Sequence, residues 1–166
     1  MTNPGGQHQG GRNSSDRATI QNLIDNRQHI HRTVEKTPDG IQTHTWSHEK
    51  QVSDWITQHV HSMKKRMEEG NRIRQRDPLF VAAFDRAHLI DDFVVEEEDN
   101  GVKVMETSRD PCTVDILHSH SDVVSGFIEH GRYEVRRNHP VPSSCPAVTP
   151  GSCDQAGKRS VRNVGM

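Results

Sequence analysis

The sequence predicts an α+β domain in which two β-hairpins and a further strand pack with a long and a short helix between disordered tails. Three observations carry that reading. A Pro38-Asp39-Gly40 turn separates two alternating runs rich in Thr, Val and Ile, and Asn100-Gly101 separates two more; each is a hairpin signal. Between the hairpins, apolar residues recur at helical spacing. Both ends of the chain lack apolar anchors.

Residues 1–14 are dominated by Gly, Gln and Asn and cannot offset their ordering entropy, so they are expected to be a disordered tail. Ser15 or Asp16 caps a short helix with Ile20, Leu23 and Ile24 on one face. Strands follow at about 29–36 and 41–47. If Lys36 pairs with Ile41, Thr33 faces His44 and His31 faces Trp46. One face then carries His29, His31, His44 and Trp46, and the other, buried face carries Ile30, Val34 and Ile41. Gly40 is expected to take the left-handed position of the turn.

A long helix is expected over about 48–75. Val52, Trp55, Ile56, Val60, Met63 and Met67 form one narrow stripe on it. Asp77-Pro78 starts a second helix carrying Leu79, Phe80, Ala83, Phe84, Ala87 and Leu89. The second hairpin is DFVVEEED, Asn100-Gly101 and VKVMET. A further strand is expected at 113–117, and the period of 122–137 fits helix and strand alike. Residues 138–166 hold Pro140, Pro142, Pro146 and Pro150, whose fixed φ and missing N–H oppose helix and sheet, and read as a disordered tail. The domain is therefore 15–137, without a detected internal repeat.

Composition bounds the function. Of 166 residues, 30% are hydrophobic and only Leu23, Leu79, Leu89 and Leu117 are leucine. No apolar run approaches the ~18 residues of a membrane span, and the chain is too short for a barrel enzyme of ~250 residues. Lys plus Arg is 21 against 23 Asp plus Glu, so no global polycation recruits nucleic acid. The three cysteines, Cys112, Cys145 and Cys153, show no CxxC spacing and read as reduced thiols of an intracellular, cytoplasmic protein.

Three His-x-His pairs stand out among the 12 histidines. On a strand, i and i+2 share a face and can share a metal; on a helix they diverge by about 200°. His59/His61 lie in the long helix and are not expected to chelate. His29/His31 with His44 make either a solvated polar face or a pH-sensitive or metal-binding one. His118/His120, which follow the expected strand at 113–117 and share a face if it continues through them, are the metal candidates, with His130 or His139 as helpers and a divalent transition metal as the cofactor.

The stretch around His118, His120 and Gly131 resembles the first motif of metal-binding cupins, which implies a small β-barrel metal site. Val124 stands where that motif has its Glu. His118-Ser119-His120 also resembles the start of the JAMM metalloprotease motif, with Ile128 and Gly131 where its Ser and Asp would fall. His29-Ile30-His31 with Tyr133 and Arg136 resembles replication-initiator endonucleases, with Arg136 in place of a Lys.

The leading expectation is a small non-enzymatic interaction or assembly protein. It would dock a protein partner or a second copy of itself through Val52, Trp55, Ile56, Val60, Met63 and Met67. The alternative is a cupin-like metal domain using His118 and His120. A weaker one is nucleic-acid binding through Lys64, Lys65, Arg66, Arg72, Arg74 and Arg76. Six acids between Asp91 and Asp99 read as protection of a sheet edge.

Overall fold

A computed structural model of the chain describes residues 8–146. Its helices are α1 (His8–Asp25), α2 (Lys50–Glu69), α3 (Pro78–Asp85), α4 (Pro111–His130) and α5 (Arg132–Val135). Its strands are β1 (His31–Thr37), β2 (Gly40–Trp46), β3 (Asp92–Glu98) and β4 (Gly101–Thr107). Single 3-10 turns at Arg27–His29 and Ala87–Leu89 lead into the two hairpins. The α+β class holds: the strands form one antiparallel sheet in the order β1-β2-β4-β3. None of the described helices is long and apolar enough to cross a membrane.

The first hairpin has the expected register, with Lys36 opposite Ile41, Thr33 opposite His44 and His31 opposite Trp46. Its glycine plays a different part. Pro38 and Asp39 make the turn, Gly40 is the first residue of β2, and its φ is not positive. Gly40 is needed because a Cβ there would lie 1.8 Å from the Glu106 carbonyl oxygen. Gly101 repeats this at β4, where a Cβ would meet the Thr45 carbonyl at 2.1 Å. Both glycines let the central strands approach at the sheet ends.

Helix starts follow local chemistry. Asp77 accepts a hydrogen bond from Leu79 N–H and precedes Pro78; Asp110 accepts one from Thr113 N–H and precedes Pro111. The strand expected at 113–117 is therefore the first turns of α4, as 122–130 is its continuation. Asp-Pro supplies both a cap and a preset φ, which outweighs the β propensity of Thr113, Val114 and Ile116. The long helix ends at Glu69 rather than near 75, because Gly70 takes a left-handed φ of 67° and its N–H bonds to Arg66.

The chain is a duplication, which the sequence reading missed. His31 maps onto Asp92, Gly40 onto Gly101 and Lys50 onto Pro111, each a step of 61 residues. Thr43 pairs with Val104 across the centre of the sheet, and these two are themselves equivalents, so a pseudo-twofold axis passes between them. Before the strands the step is 60: Asn26 N–H bonds to Asn22 O as Arg86 N–H does to Ala82 O, and Ile30 to Arg27 as Ile90 to Ala87. The inserted residue is Asp91. Its N–H bonds to the carbonyl of Thr107, the partner of Asp92, so two residues face one, as in a β-bulge.

The halves are interlocked. Helix α2 of the first half packs on β3 and β4, and α4 of the second half packs on β1 and β2, while α1 leans on α2 and α3 on α4. All these helices lie on one side of the sheet, over Ile41, Thr43, Val102 and Val104. One core cluster joins Val52, Ile56 and Val102; the other joins Leu79, Cys112, Ile116 and Val123.

Described structure runs past both expected domain ends. Helix α1 begins at His8, inside the expected 1–14 tail. Beyond 137, His139 is buried, donates its backbone N–H to Asp77, and sets its ring between Asp77 and Glu134 at 2.7 Å each. Cys145 is bonded to Cys112, with Cα atoms 4.8 Å apart. These two cysteines are a disulfide, not the reduced pair expected from their irregular spacing, because folding α4 brings its first turn against residues 139–146. Cys153 and the rest of the expected 138–166 tail lie outside the described residues.

Candidate functional site

Part of the helix stripe expected to dock a partner lies in the core. Val52 and Ile56 are each 3% exposed, and Trp55 and Val60 pack against them. Met63 and Met67 are partly buried on the same helix. Val52 and Ile56 thus serve the core, while Trp55, Val60, Met63 and Met67 remain partly exposed.

The basic run is equally engaged. Arg66 is buried and pairs with Asp16 at 2.6 Å; Lys64 and Lys65 pair with Glu68 and Glu69. Arg72 pairs with Asp85, Arg74 with Asp77, and Arg76 donates to the Val135 carbonyl. The cations are distributed over separate contacts rather than gathered into one surface.

Helical geometry separates His118 from His120. His118 Nε2 lies 2.9 and 2.8 Å from the carbonyls of Thr37 and Gly40, while His120 packs edge-on to Phe80 at 5.1 Å. They face different elements and do not converge on one ion, and no barrel of the cupin kind surrounds them. His130 is exposed at the end of α4 and His139 is held by Asp77 and Glu134. Among the described residues no group of three or more His, Cys, Asp or Glu is arranged to hold a metal. His61 points out to Glu97 and His59 points in, as expected for a pair on a helix.

His59 and His120 are equivalents in the duplication, each the tenth residue of its helix. Each has a buried Nδ1 without a hydrogen-bond partner among the described residues. Burial is the main cause that pulls both imidazoles from 6.5 to about 4; Arg32 and His59 add to it at His120, while Asp16 and Asp77 oppose it. Burial also pushes the Glu106 carboxyl up to about 7.

On the uncovered side of the sheet, His31, Trp46 and His44 stack with ring centroids 5.4 and 4.4 Å apart, and His48 leans on His31. His44 Nε2 meets Glu98 at 2.6 Å, and Lys103 meets the same carboxylate at 3.1 Å. This is the face foreseen for His31, His44 and Trp46; His29 stands apart in the 3-10 turn.

A shallow opening lies around the corner from that stack, at the edge strand β1. It is a cleft of about 340 Å³ lined by Ile30, His31, Arg32, Trp46, Ser125, Ile128 and Glu129. Beside it, Arg27 donates from Nη1 to the carbonyls of Ile128 and Glu129 at 3.0 and 2.8 Å, where a cation suits the end of α4. Arg32 reaches from β1 to the hydroxyls of Ser125, Thr45 and Ser121 at 3.2, 3.0 and 3.3 Å. Among the described residues no carboxylate forms an ion pair with it. Burial draws its pKa down to about 10, with the Glu106 charge opposing.

The duplication supplies an internal control. At the equivalent edge, β3, Phe93 stands where β1 has Arg32, and Lys64, the equivalent of Ser125, lies over the Phe93 ring at 5.8 Å. Asp92, Glu96, Glu97 and Glu98 line that edge, and the Asp91 bulge distorts its start. Charge and a bulge are the usual protections of an edge strand. The edge of β1 has no bulge, and its two cations are drawn back onto α4, Arg32 to the serines and Lys36 to Asp122 at 2.7 Å. The sequence reading recognised the guarded edge but not the open cleft, since Arg32, Ser121 and Ser125 are separated by some ninety residues. Aligning the halves on Gly40/Gly101, Ser47/Ser108 and His59/His120 would have shown it.

No protein-family model, curated protein or solved structure matches the chain.

Proposed function

We propose that the protein is a non-enzymatic docking module of the accessory or assembly kind, which receives a protein partner along the edge of β1. The observation that carries this reading is the difference between two equivalent edges: β3 has four acids, a bulge and Lys64 over Phe93, while β1, with Glu35 exposed and its cations drawn onto α4, has no bulge and lies beside a cleft. Unguarded edges accept strands from other chains because their outward N–H and C=O groups lack partners. This reading places the docking surface at a sheet edge; of the α2 stripe, Val52 and Ile56 already serve the core.

The test is to select extended peptides from a random display library on the full chain and map their footprint by hydrogen exchange. The bound peptides are expected to protect the outward amides of Arg32, Val34 and Lys36 and leave β3 unchanged. Protection confined to another surface, or none at all from any selected peptide, would overturn the reading.

A further inference from the structure

We propose that the segment docked on β1 is an extended, acidic stretch of a partner protein that places one carboxylate against Arg32. This rests on the docking reading above and names its chemistry. The backbone comes first. Thr37 and Gly40 flank a two-residue turn and so exchange backbone hydrogen bonds; the antiparallel alternation then aims the N–H and C=O groups of Arg32, Val34 and Lys36 away from β2. An incoming strand satisfies those groups whatever its sequence, which supplies affinity without selectivity.

Selectivity comes from Arg32. Its described hydrogen-bond partners are three hydroxyls, which satisfy N–H donors; the buried Glu106 carboxyl acts on its charge through space but forms no described ion pair with it. Arg32 is one of the residues lining the cleft, so a carboxylate entering beside the strand approaches it in partly desolvated surroundings. There a charge-assisted bond is stronger than in water. Ile30, Ile128 and Trp46 offer apolar wall to the stem of the arriving side chain. At the β3 edge the same segment would meet Phe93 in place of Arg32 and a row of four acids. Repulsion there directs an acidic strand to one edge of a nearly symmetric sheet.

The test titrates the full chain with a nine-residue Thr/Val peptide carrying one central Glu, and with its Gln counterpart, followed by amide NMR of β1. The Glu peptide is expected to bind at least tenfold more tightly. The margin should shrink at high salt and vanish in Arg32→Gln. Val34→Pro removes an outward N–H while sparing the β1–β2 ladder; it should abolish binding of both peptides with the melting temperature held within a few degrees. Should Arg32→Gln fail to fold, the Glu/Gln comparison and Val34→Pro still decide. Equal binding of the two peptides overturns the carboxylate at Arg32 and leaves docking standing. No shift of β1 amides with either peptide overturns both. Concentration-dependent dimers in sedimentation velocity that Val34→Pro dissolves would assign the edge to a second copy and overturn the acidic partner.

Discussion

Replacing both buried histidines should reverse the sign of the pH dependence of stability between pH 6.5 and 4.5. His59 and His120 titrate at 6.5 when unfolded and at about 4 when folded. As pH falls through 6.5 the unfolded chain takes up two protons that the folded chain refuses, so stability is lost down to about pH 4. At about 1.4 kcal/mol per unit, each ring accounts for up to about 3 kcal/mol, an upper figure because the ring edges keep some contact with solvent. Glu106 works the other way. Its folded pKa of about 7 lies above the unfolded 4.5, so its contribution is full below 4.5 and is lost as pH rises through 7. Within the window two histidine protons oppose one carboxyl proton. The net loss on acidification is one proton's worth, about 1.4 kcal/mol per pH unit. The carboxylates held low, among them Asp77, Asp110 and Glu134, act only below this window. In the double variant His59→Gln/His120→Gln only Glu106 remains, and stability should rise on acidification by a similar slope. Urea denaturation at pH 6.5, 5.5 and 4.5, followed by tryptophan fluorescence, measures both slopes. An unchanged slope in the double variant would show that the rings are not buried and that α2 and α4 do not pack as described.

Gly40→Ala and Gly101→Ala should each cost about 3 kcal/mol in thermal unfolding, because the new Cβ would press on backbone carbonyls at 1.8 and 2.1 Å that cannot move aside. Asp16→Ala should cost about 3 kcal/mol, since it removes the carboxylate paired with the buried Arg66; a loss under 1 kcal/mol would mean that the pair adds little to stability. Reduction of Cys112–Cys145, which closes a separation of 33 residues, should lower stability by about 3–4 kcal/mol on loop entropy, and non-reducing peptide mapping should recover the linked pair. Leu79→Ala, at a fully buried position, should cost about 2–5 kcal/mol, and a near-native melting temperature would remove the second core cluster.

The sequence by itself determined what short-range chemistry decides. Turn residues and alternation placed both hairpins, set the register of the first and assigned His31, His44 and Trp46 to one face, because a two-residue turn dictates which residues can pair. Asp77-Pro78 marked a helix start for the same reason. Asp110-Pro111 carried the same signal, yet the β-branched run after it read as a strand; the cap is a local bond, whereas propensity is only an average. Tertiary structure alone decided the rest. Swapping α2 and α4 onto each other's hairpins buried the stripe at Val52 and Ile56 that looked free, turned His59 and His120 inward and brought Cys145 to Cys112. The cleft at Arg32 arises where β1, α4 and the turn at Arg27 meet, from residues some ninety positions apart. Local patterns specify which face of an element is apolar, but only packing specifies what covers it. The two halves of the sheet share that packing while differing at Arg32 and Phe93, so one edge lies beside a cleft and the other under the Lys64 side chain.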